Sequence, residues 1–176
     1  FIPNRTNETV FIHVGKAEWK RKGLDCIYES FTSAFTPNDN VKLLLSIDNP
    51  FLSEQQVSEV KNKFLSARMG KKVQFIPRIQ SNRQLASIMA SADCGLFPAR
   101  SEAFCLPALE CMSLGKHIIC TNWAGLSEYV THENAHIIQL TQLEEAIEPP
   151  FFPGGRNWAA LTRDSIECCT NYLKRI

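Results

Sequence analysis

The sequence predicts an α/β fold built on a doubly wound, Rossmann-like parallel sheet of six strands. Short apolar, β-rich segments alternate along the chain with segments of helical periodicity, and the connections between them are short. The segment Val41 to Ile47 is apolar almost throughout, which is typical of a strand covered by helices on both faces. This regular alternation favours parallel strands joined by right-handed crossovers.

The composition is that of a globular domain of ordinary size. The chain has 176 residues, of which 44% are hydrophobic and 21% are charged, and this predicts one domain, 1–176, with a substantial core. The formal net charge of +1 gives no reason to expect nucleic acid as a partner. The seven cysteines are scattered and are expected to be reduced core residues without a zinc site, which predicts a cytoplasmic location.

The first half of the chain contains three predicted strand–helix pairs. The strands are expected over 9–14, 41–47 and 73–76, and the helices over 23–35, 53–69 and 81–92. Ser53 is expected to cap the second helix, and Gly70 is expected to end it.

The second half continues the pattern and then breaks it. Strands are expected over 94–97, 117–120 and 135–138, and helices over 107–114 and 125–130. Pro107 is predicted as a first helical residue, with Leu106 before it in extended geometry. The proline- and glycine-rich segment 148–157 is predicted to be an irregular tether. A C-terminal helical segment, 157–176, follows, with its helix expected from about Trp158.

The stretch 100–115 carries two carboxylates around a predicted helix start. Glu102 is expected in the loop before the helix, and Glu110 in its first turn or just beyond. A loop folded over the helix start can direct both carboxylates, and the free amides of Phe104, Cys105 and Leu106, into one cavity. Because helix N-termini attract anions, this arrangement predicts a polar ligand that carries an anionic group.

The order of the strands predicts what lies opposite this stretch. In the commonest doubly wound order, strands one and four are neighbours, and ligands bind at the switch point between them. Gly15, Lys16 and Lys22 follow strand one, and lysines suit phosphate. The carboxylates would accept hydrogen bonds from sugar hydroxyls. The predicted ligand is a nucleotide-sugar, which is a substrate, so that no cofactor and no metal are expected.

At these residues the chain resembles the C-terminal, donor-binding domain of retaining GT-B glycosyltransferases, the group 1 family with a glutamate-x7-glutamate motif. The matching features are Gly15-Lys16, Lys22-Gly23, and the run from Glu102 through Phe104, Leu106 and Pro107 to Glu110. Two departures bear on donor binding. Lys16 replaces the usual arginine and loses its bidentate fork, and Cys105 adds a side chain where the family has glycine.

The resemblance implies a role for each site residue. Lys16 and Lys22 would stabilise the diphosphate and its developing charge, and Glu102 would contact the donor sugar beside the reacting centre. The implied substrate-binding residues are Glu110 at the ribose, Gly15 with Phe104, Cys105 and Leu106 at the phosphates, and Arg78 with Ile79 near the base. Transfer in this family retains the anomeric configuration and needs no metal.

The resemblance also implies an N-terminal acceptor-binding domain, which these residues do not contain. The chain is therefore expected to bind the nucleotide-sugar donor weakly and to transfer nothing by itself. The nucleotide-sugar donor and the acceptor-binding domain are its expected partners. The resemblance is also compatible with peripheral association of the full-length enzyme with a membrane.

Other interpretations of the same residues stay open. The chain could be a non-catalytic module that binds nucleotide-sugars or anions on the same fold. A Rossmann dehydrogenase is disfavoured, because no glycine-rich GxGxxG motif follows strand one. Lys20 and Arg21 are expected on a solvated face, and His13 is expected near the crevice without touching the ligand.

Overall fold

The main sheet has the predicted architecture. A computed structural model describes residues 7–176, and the start of the predicted domain, residues 1–6, lies outside this range. Six parallel strands have the order β3-β2-β1-β4-β5-β6. They are β1 (Thr9–Val14), β2 (Val41–Ser46), β3 (Val73–Phe75), β4 (Cys94–Phe97), β5 (His117–Thr121) and β6 (His136–Ile138). Because β1 pairs with both β2 and β4, the switch point lies between β1 and β4.

Within the described residues, four α-helices connect these strands and a fifth follows near the C-terminus. They are α1 (Leu24–Ala34), α2 (Glu54–Leu65), α3 (Asn82–Ala90), α4 (Leu106–Ser113) and α5 (Arg163–Leu173). Ser53 caps α2 as predicted, in a capping box with Gln56. This helix ends at Leu65, earlier than predicted, and Gly70 opens a short 3-10 turn. Among residues 7–176, no helix combines the length and the apolar character needed to cross a membrane.

The sheet is buried on both faces, which explains the apolar strands. Phe11 and Leu43 belong to one core cluster with side chains of α1, α2 and α5. Their neighbours Ile12 and Leu44 belong to a second cluster on the other face, with side chains of α3 and α4. Since successive strand residues point to opposite faces, both sets of positions in the middle of these strands are apolar.

The main correction concerns the segment after β6. The predicted tether over 148–157 is wrong, because β7 (Leu143–Glu148) and β8 (Phe152–Ala159) form an antiparallel hairpin. Trp158, predicted to begin the last helix, lies in β8 opposite Glu144, and α5 begins only at Arg163. Prolines and glycines are poor strand formers, so the local sequence favoured a loop. A buried Trp158, whose indole donates to Glu144 Oε1 at 3.1 Å, holds the strand in place instead.

Candidate functional site

The candidate site lies where β1 and β4 end. The loop after β1 (residues 15–23) and the loop after β4 (residues 98–105) meet there directly, and the Arg100 amide donates to the Arg21 carbonyl at 2.8 Å. Gly23 allows this approach, because a Cβ built on it would lie 1.8 Å from the Pro98 carbonyl oxygen. The backbone of Gly23 is also left-handed, with φ of 68°. The predicted juxtaposition of the two loops is therefore confirmed.

The centre of the site is an ion pair between the predicted residues Lys22 and Glu102. Lys22 Nζ donates to Glu102 Oε1, and Arg21 Nη1 lies 3.4 Å from Glu102 Oε2. The Glu102 side chain is only 9% exposed. One carboxylate is thus shared by two cations, in a partly dehydrated position where ion pairing is stronger than in bulk water.

Arg21 is the main residue that sequence reasoning missed, and its assignment to a solvated face is wrong. Its Nε donates to Glu18, its Nη1 donates to the Ser101 carbonyl at 3.0 Å, and its side chain is 14% exposed. Burial opposes its protonation, but the Glu18 and Glu102 carboxylates outweigh this and raise the pKa of Arg21. The only local signal was its position next to Lys22.

The start of α4 differs in detail from the prediction. The helix begins at Leu106 rather than Pro107, so Leu106 is helical and not extended. The chain turns at Cys105, which has a left-handed backbone with φ of 62° and ψ of 60°. The chain thus changes direction one residue earlier than the proline alone would predict. Burial raises the pKa of the Cys105 thiol to about 11, so that it is a neutral side chain at physiological pH.

The backbone around the α4 start leaves donors free for an anion. The Tyr129 hydroxyl lies 2.9 Å from the carbonyl oxygens of both Phe104 and Cys105, which orients these carbonyls toward the tyrosine. Within residues 7–176, the amides of Phe104, Cys105 and Leu106 donate to no other residue. Such unpaired amides at a helix N-terminus are suited to an anionic oxygen.

The loop after β5 supports the same backbone. The Gly125 amide donates to the Glu102 carbonyl at 2.9 Å. A Cβ on Gly125 would lie 2.0 Å from the Ala103 carbonyl oxygen, so a larger residue would displace the loop that carries Glu102.

Four other predicted residues share one cleft. A cavity of about 380 Å³ is lined by Gly15, Lys16, Arg78 and Ile79, together with Phe51 and residues at the ends of β1 and β2. The Arg78 amide donates to Asp48 Oδ2 at 3.0 Å, which ties the loop after β3 to the loop after β2. Lys16 Nζ lies 4.4 Å from the centre of the Phe51 ring and is not paired with Glu102. The two predicted lysines therefore lie in different parts of the crevice. Lys16 lines the cleft beside Phe51, and Lys22 is paired with Glu102.

Glu110 takes no part in the ion pairs that Glu102 forms with Arg21 and Lys22. It is exposed on α4, four residues beyond the helix start, and its carboxylate forms no ion pair among residues 7–176. The structure therefore leaves its carboxylate accessible to a ligand rather than engaged in the protein.

His13 lies beneath the loop after β1 and is buried. Its Nδ1–H donates to the Leu96 carbonyl at 2.6 Å, while its Nε2 has no partner within the described residues. Burial lowers the pKa of His13 to about 4, and the nearby Lys22 contributes in the same direction. The ring is therefore neutral at physiological pH.

A second network that the sequence did not predict joins the site loops to the hairpin. The buried Arg100 forms a bidentate pair with Asp25, with both distances 2.8 Å, and its Nε donates to Glu144 of β7 at 2.6 Å. Burial opposes the charge of Arg100, but the Asp25 and Glu144 carboxylates raise its pKa. The hairpin is thus attached to α1 and to the β4 loop through the buried Arg100, although the Glu144 side chain itself is 42% exposed.

Known proteins share this chain's sequence pattern. Residues 2–148 match the family model described as Glycosyl transferases group 1. A lipopolysaccharide 1,2-N-acetylglucosaminetransferase of Salmonella typhimurium is 29% identical over 125 residues, which cover 69% of this chain and 32% of the relative. The chain therefore spans about a third of the length of this curated relative.

Solved structures share the fold. The C-terminal domain of the group 1 glycosyl transferase LpcC from Francisella tularensis is 21% identical, with a TM-score of 0.64, over 78% of this chain and 69% of that one. Anabaena HepE in complex with UDP-glucose is 23% identical, with a TM-score of 0.60, over 72% of this chain and 33% of that one. WaaG, a glycosyltransferase of lipopolysaccharide biosynthesis, is 22% identical, with a TM-score of 0.61, over 97% of this chain and 38% of that one.

At these identities the structural likenesses establish the fold, a Rossmann-like domain of GT-B type, and no more. The family match goes further, because it extends over most of the chain and includes Gly15, Lys22, Glu102 and Glu110. On this evidence the chain belongs to the glycosyl transferases group 1 family.

Proposed function

We propose that this chain is the donor-binding part of a retaining glycosyltransferase, which moves a sugar from a nucleotide-diphosphate donor to an acceptor without a metal ion. The observation that carries the proposal is the Lys22–Glu102 pair at the switch point, beside the free amides that open α4. Cations and amides suit the diphosphate, and a carboxylate suits the hydroxyls of the sugar.

The residues divide the donor between them. The base occupies the cleft near Arg78 and Ile79, and the diphosphate lies between Lys16, Lys22 and the amides of Phe104, Cys105 and Leu106. Gly15 lets the ligand approach the backbone of its loop. The exposed Glu110 accepts hydrogen bonds from the ribose hydroxyls.

The chemistry follows from this arrangement. As the bond from the sugar to the phosphate breaks, negative charge develops on the diphosphate, and Lys16 and Lys22 stabilise it. Glu102 orients the sugar through its hydroxyls, and the leaving phosphate takes the proton of the acceptor hydroxyl on the same face. The two glutamates are therefore not the acid and the nucleophile of a glycosidase.

The acceptor is bound by a part of the enzyme outside these residues. In support, the chain covers 32% of its curated relative and 33% of the HepE chain. The 176-residue chain alone is then expected to bind nucleotide and to transfer no sugar.

Binding of nucleotides to the chain tests the proposal. UDP is the first choice, because HepE was solved with UDP-glucose, and GDP and NADH serve as comparisons. By isothermal titration calorimetry, Lys22→Ala is expected to weaken UDP binding about tenfold or more, since charged hydrogen bonds contribute about 1.5–3 kcal/mol. Glu110→Ala is expected to weaken it less.

Matched controls are available on the same chain. Lys71→Ala and Glu167→Ala remove exposed charges, on the 3-10 turn before β3 and on α5, and should leave binding unchanged. Indifference of the wild-type chain to all nucleoside diphosphates would contradict the proposal.

The finer claims need the complete enzyme. Retention is checked by the anomeric configuration of the product in NMR, and metal independence by activity in excess EDTA. A complete enzyme that binds donor without transfer or hydrolysis would instead favour the non-catalytic module.

A further inference from the structure

The Glu102 carboxylate presents a conflict that the proposed function does not resolve. Lys22 is required at the diphosphate, yet in this structure Lys22 is bound to Glu102. If Lys22 moves to a phosphate, it leaves behind a carboxylate whose side chain is only 9% exposed. A buried carboxylate without a cation is costly, so a second cation must remain beside it.

Arg21 is placed to be that second cation. It already contacts Glu102 Oε2 at 3.4 Å, on the oxygen that Lys22 does not use. Two further contacts restrict its side chain: Nε donates to Glu18, and Nη1 donates to the Ser101 carbonyl at 3.0 Å. Its guanidinium also lies 5.7 Å from the centre of the Phe152 ring, at the start of β8.

The backbone of Arg21 is held by the hairpin as well. Glu148, the last residue of β7, accepts from the Arg21 amide at 2.6 Å and from the Lys20 amide at 2.9 Å. Both carboxylate oxygens are thus used to fix two successive residues of the loop after β1. The match to the family model ends at residue 148, so that β8 and its Phe152 lie outside the matched region.

We propose that the β7–β8 hairpin is a positioning element of the donor site, in which Glu148 and Phe152 hold Arg21 against Glu102 so that Lys22 is free to bind the diphosphate. Arg21 and Glu148 are positioning residues here, because they act on the donor through Glu102 and Lys22. The inference deepens the proposed function and rests on it.

The first test uses UDP, which has no sugar and so gives Glu102 no ligand hydroxyl to bind. In Arg21→Ala, Lys22 is the one cation left at Glu102 among residues 7–176, and it is retained there. We expect UDP affinity, measured by calorimetry on the 176-residue chain, to fall about tenfold, within the range of coupling between residues in contact.

A second substitution separates this role from a merely structural one. Glu102→Gln removes the charge that retains Lys22, so the double variant Arg21→Ala/Glu102→Gln is expected to regain nearly the wild-type affinity for UDP. A loop that is simply misfolded by the loss of Arg21 would not be repaired by a substitution at Glu102. Arg21→Lys, which keeps the charge but loses the fork, is expected to lie between wild type and Arg21→Ala.

The hairpin is tested through Glu148. We expect Glu148→Ala to weaken UDP binding about threefold, and to add nothing in the Arg21→Ala background, because both substitutions act through the same contact. Glu145→Ala is the matched control. It removes a carboxylate from the same strand that also accepts from a backbone amide, that of Gly155 at 2.9 Å, but inside the hairpin.

The outcomes distinguish the two proposals. If the wild-type chain binds no UDP, the proposed function fails, and this inference fails with it. If the wild-type chain binds UDP but Arg21→Ala binds it equally well, or if Glu102→Gln does not restore the affinity of Arg21→Ala, only the positioning role is overturned. Circular dichroism of each variant confirms that it is folded before binding is compared.

Discussion

At the scale of single residues, the site contains two that are unusual for their positions. His13 is a buried imidazole with one unpaired nitrogen, and Cys105 is a non-glycine residue with a left-handed backbone. Each carries a cost in stability, and each lies next to a residue proposed to bind the donor. The effect of each residue on the free energy of unfolding can be measured without ligand, and therefore separately from binding.

His13 predicts how stability depends on pH. In the unfolded chain the ring protonates near its ordinary pKa of 6.5, whereas in the folded chain burial lowers the pKa to about 4. Protons therefore bind the unfolded state preferentially between these values, and stability is lost as the pH falls from about 6.5 toward 4. The contribution is about 3 kcal/mol at most, since each pKa unit corresponds to roughly 1.4 kcal/mol.

The free energy of unfolding is measured by urea denaturation at pH 7 and at pH 4.5, for the wild type and for His13→Gln. The variant should lose less free energy of unfolding between the two pH values, because carboxylates and other groups titrate equally in both proteins. An identical loss in the two proteins would contradict the assignment.

The left-handed backbone of Cys105, the N-cap of α4, predicts that glycine is more stable than alanine at this position. A Cβ at φ of 62° costs about 1–2 kcal/mol, and glycine avoids this cost. Cys105→Gly is therefore expected to unfold with a free energy about 1 kcal/mol higher than Cys105→Ala, measured in urea. Comparing these two variants with each other cancels the packing of the lost sulfur, and a more stable alanine variant would contradict the strained backbone.

At the scale of elements, the hairpin matters because charges attach it to the site. Arg100 follows β4, Asp25 lies in the first turn of α1, and Glu144 belongs to β7, so that one guanidinium joins three elements. Replacing both partners of a buried ion pair by apolar residues often changes stability little. Removing one partner alone is destabilising, because the other charge stays buried with less compensation.

Arg100→Met is therefore expected to lower the free energy of unfolding by about 3 kcal/mol, because the buried Asp25 loses its bidentate partner and keeps the half-exposed Lys20, whose Nζ lies 2.9 Å from Oδ2. The double variant Arg100→Met/Asp25→Leu should be less destabilised than Arg100→Met alone. Chemical denaturation measures both, and Arg163→Met, at an exposed position of α5, is the control. Equal stability of Arg100→Met and the control would show that the pair contributes little.

At the scale of the whole molecule, the proposed affinity for a diphosphate must come from local charge. The chain carries a formal net charge of only +1, so there is no overall field that attracts anions. Lys16, Arg21 and Lys22 instead concentrate positive charge at one end of the sheet, beside the amides that open α4. Their neighbours Glu18 and Glu102 partly neutralise it until a ligand arrives.

This predicts that nucleotide binding stabilises the entire domain and is sensitive to salt. At a UDP concentration of about 100 times Kd, the free energy of unfolding is expected to rise by about 2.7 kcal/mol, and thermal melts should show a higher Tm. Raising the ionic strength should weaken UDP binding, because exposed charges are screened, and should change the Tm of the free chain much less. Lys22→Ala, whose affinity for UDP is expected to be lower by about tenfold or more, should show a smaller rise in Tm at the same UDP concentration, corresponding to about 1.4 kcal/mol or less.

The order of the elements and the centre of the site could be predicted from the sequence alone. Strands and helices were evident because apolar periodicity is local. The placement of Lys22 opposite Glu102 followed from the switch-point rule together with the proline that marks the start of α4. The segment after β6 could not be predicted, since its prolines and glycines favour a loop and only the burial of Trp158 makes it a strand.

Arg21 and the hairpin contacts were likewise decided by the tertiary structure. Lys20 and Glu148 are 128 residues apart in sequence, and Arg21 and Glu102 are 81 apart, so no local pattern links them. The sequence by itself determined a nucleotide-binding fold of this family with a lysine and a glutamate at its crevice. The folded chain decided that a hairpin outside the main sheet contacts the loop that carries the lysine, because electrostatic partners are chosen by proximity in space rather than along the chain.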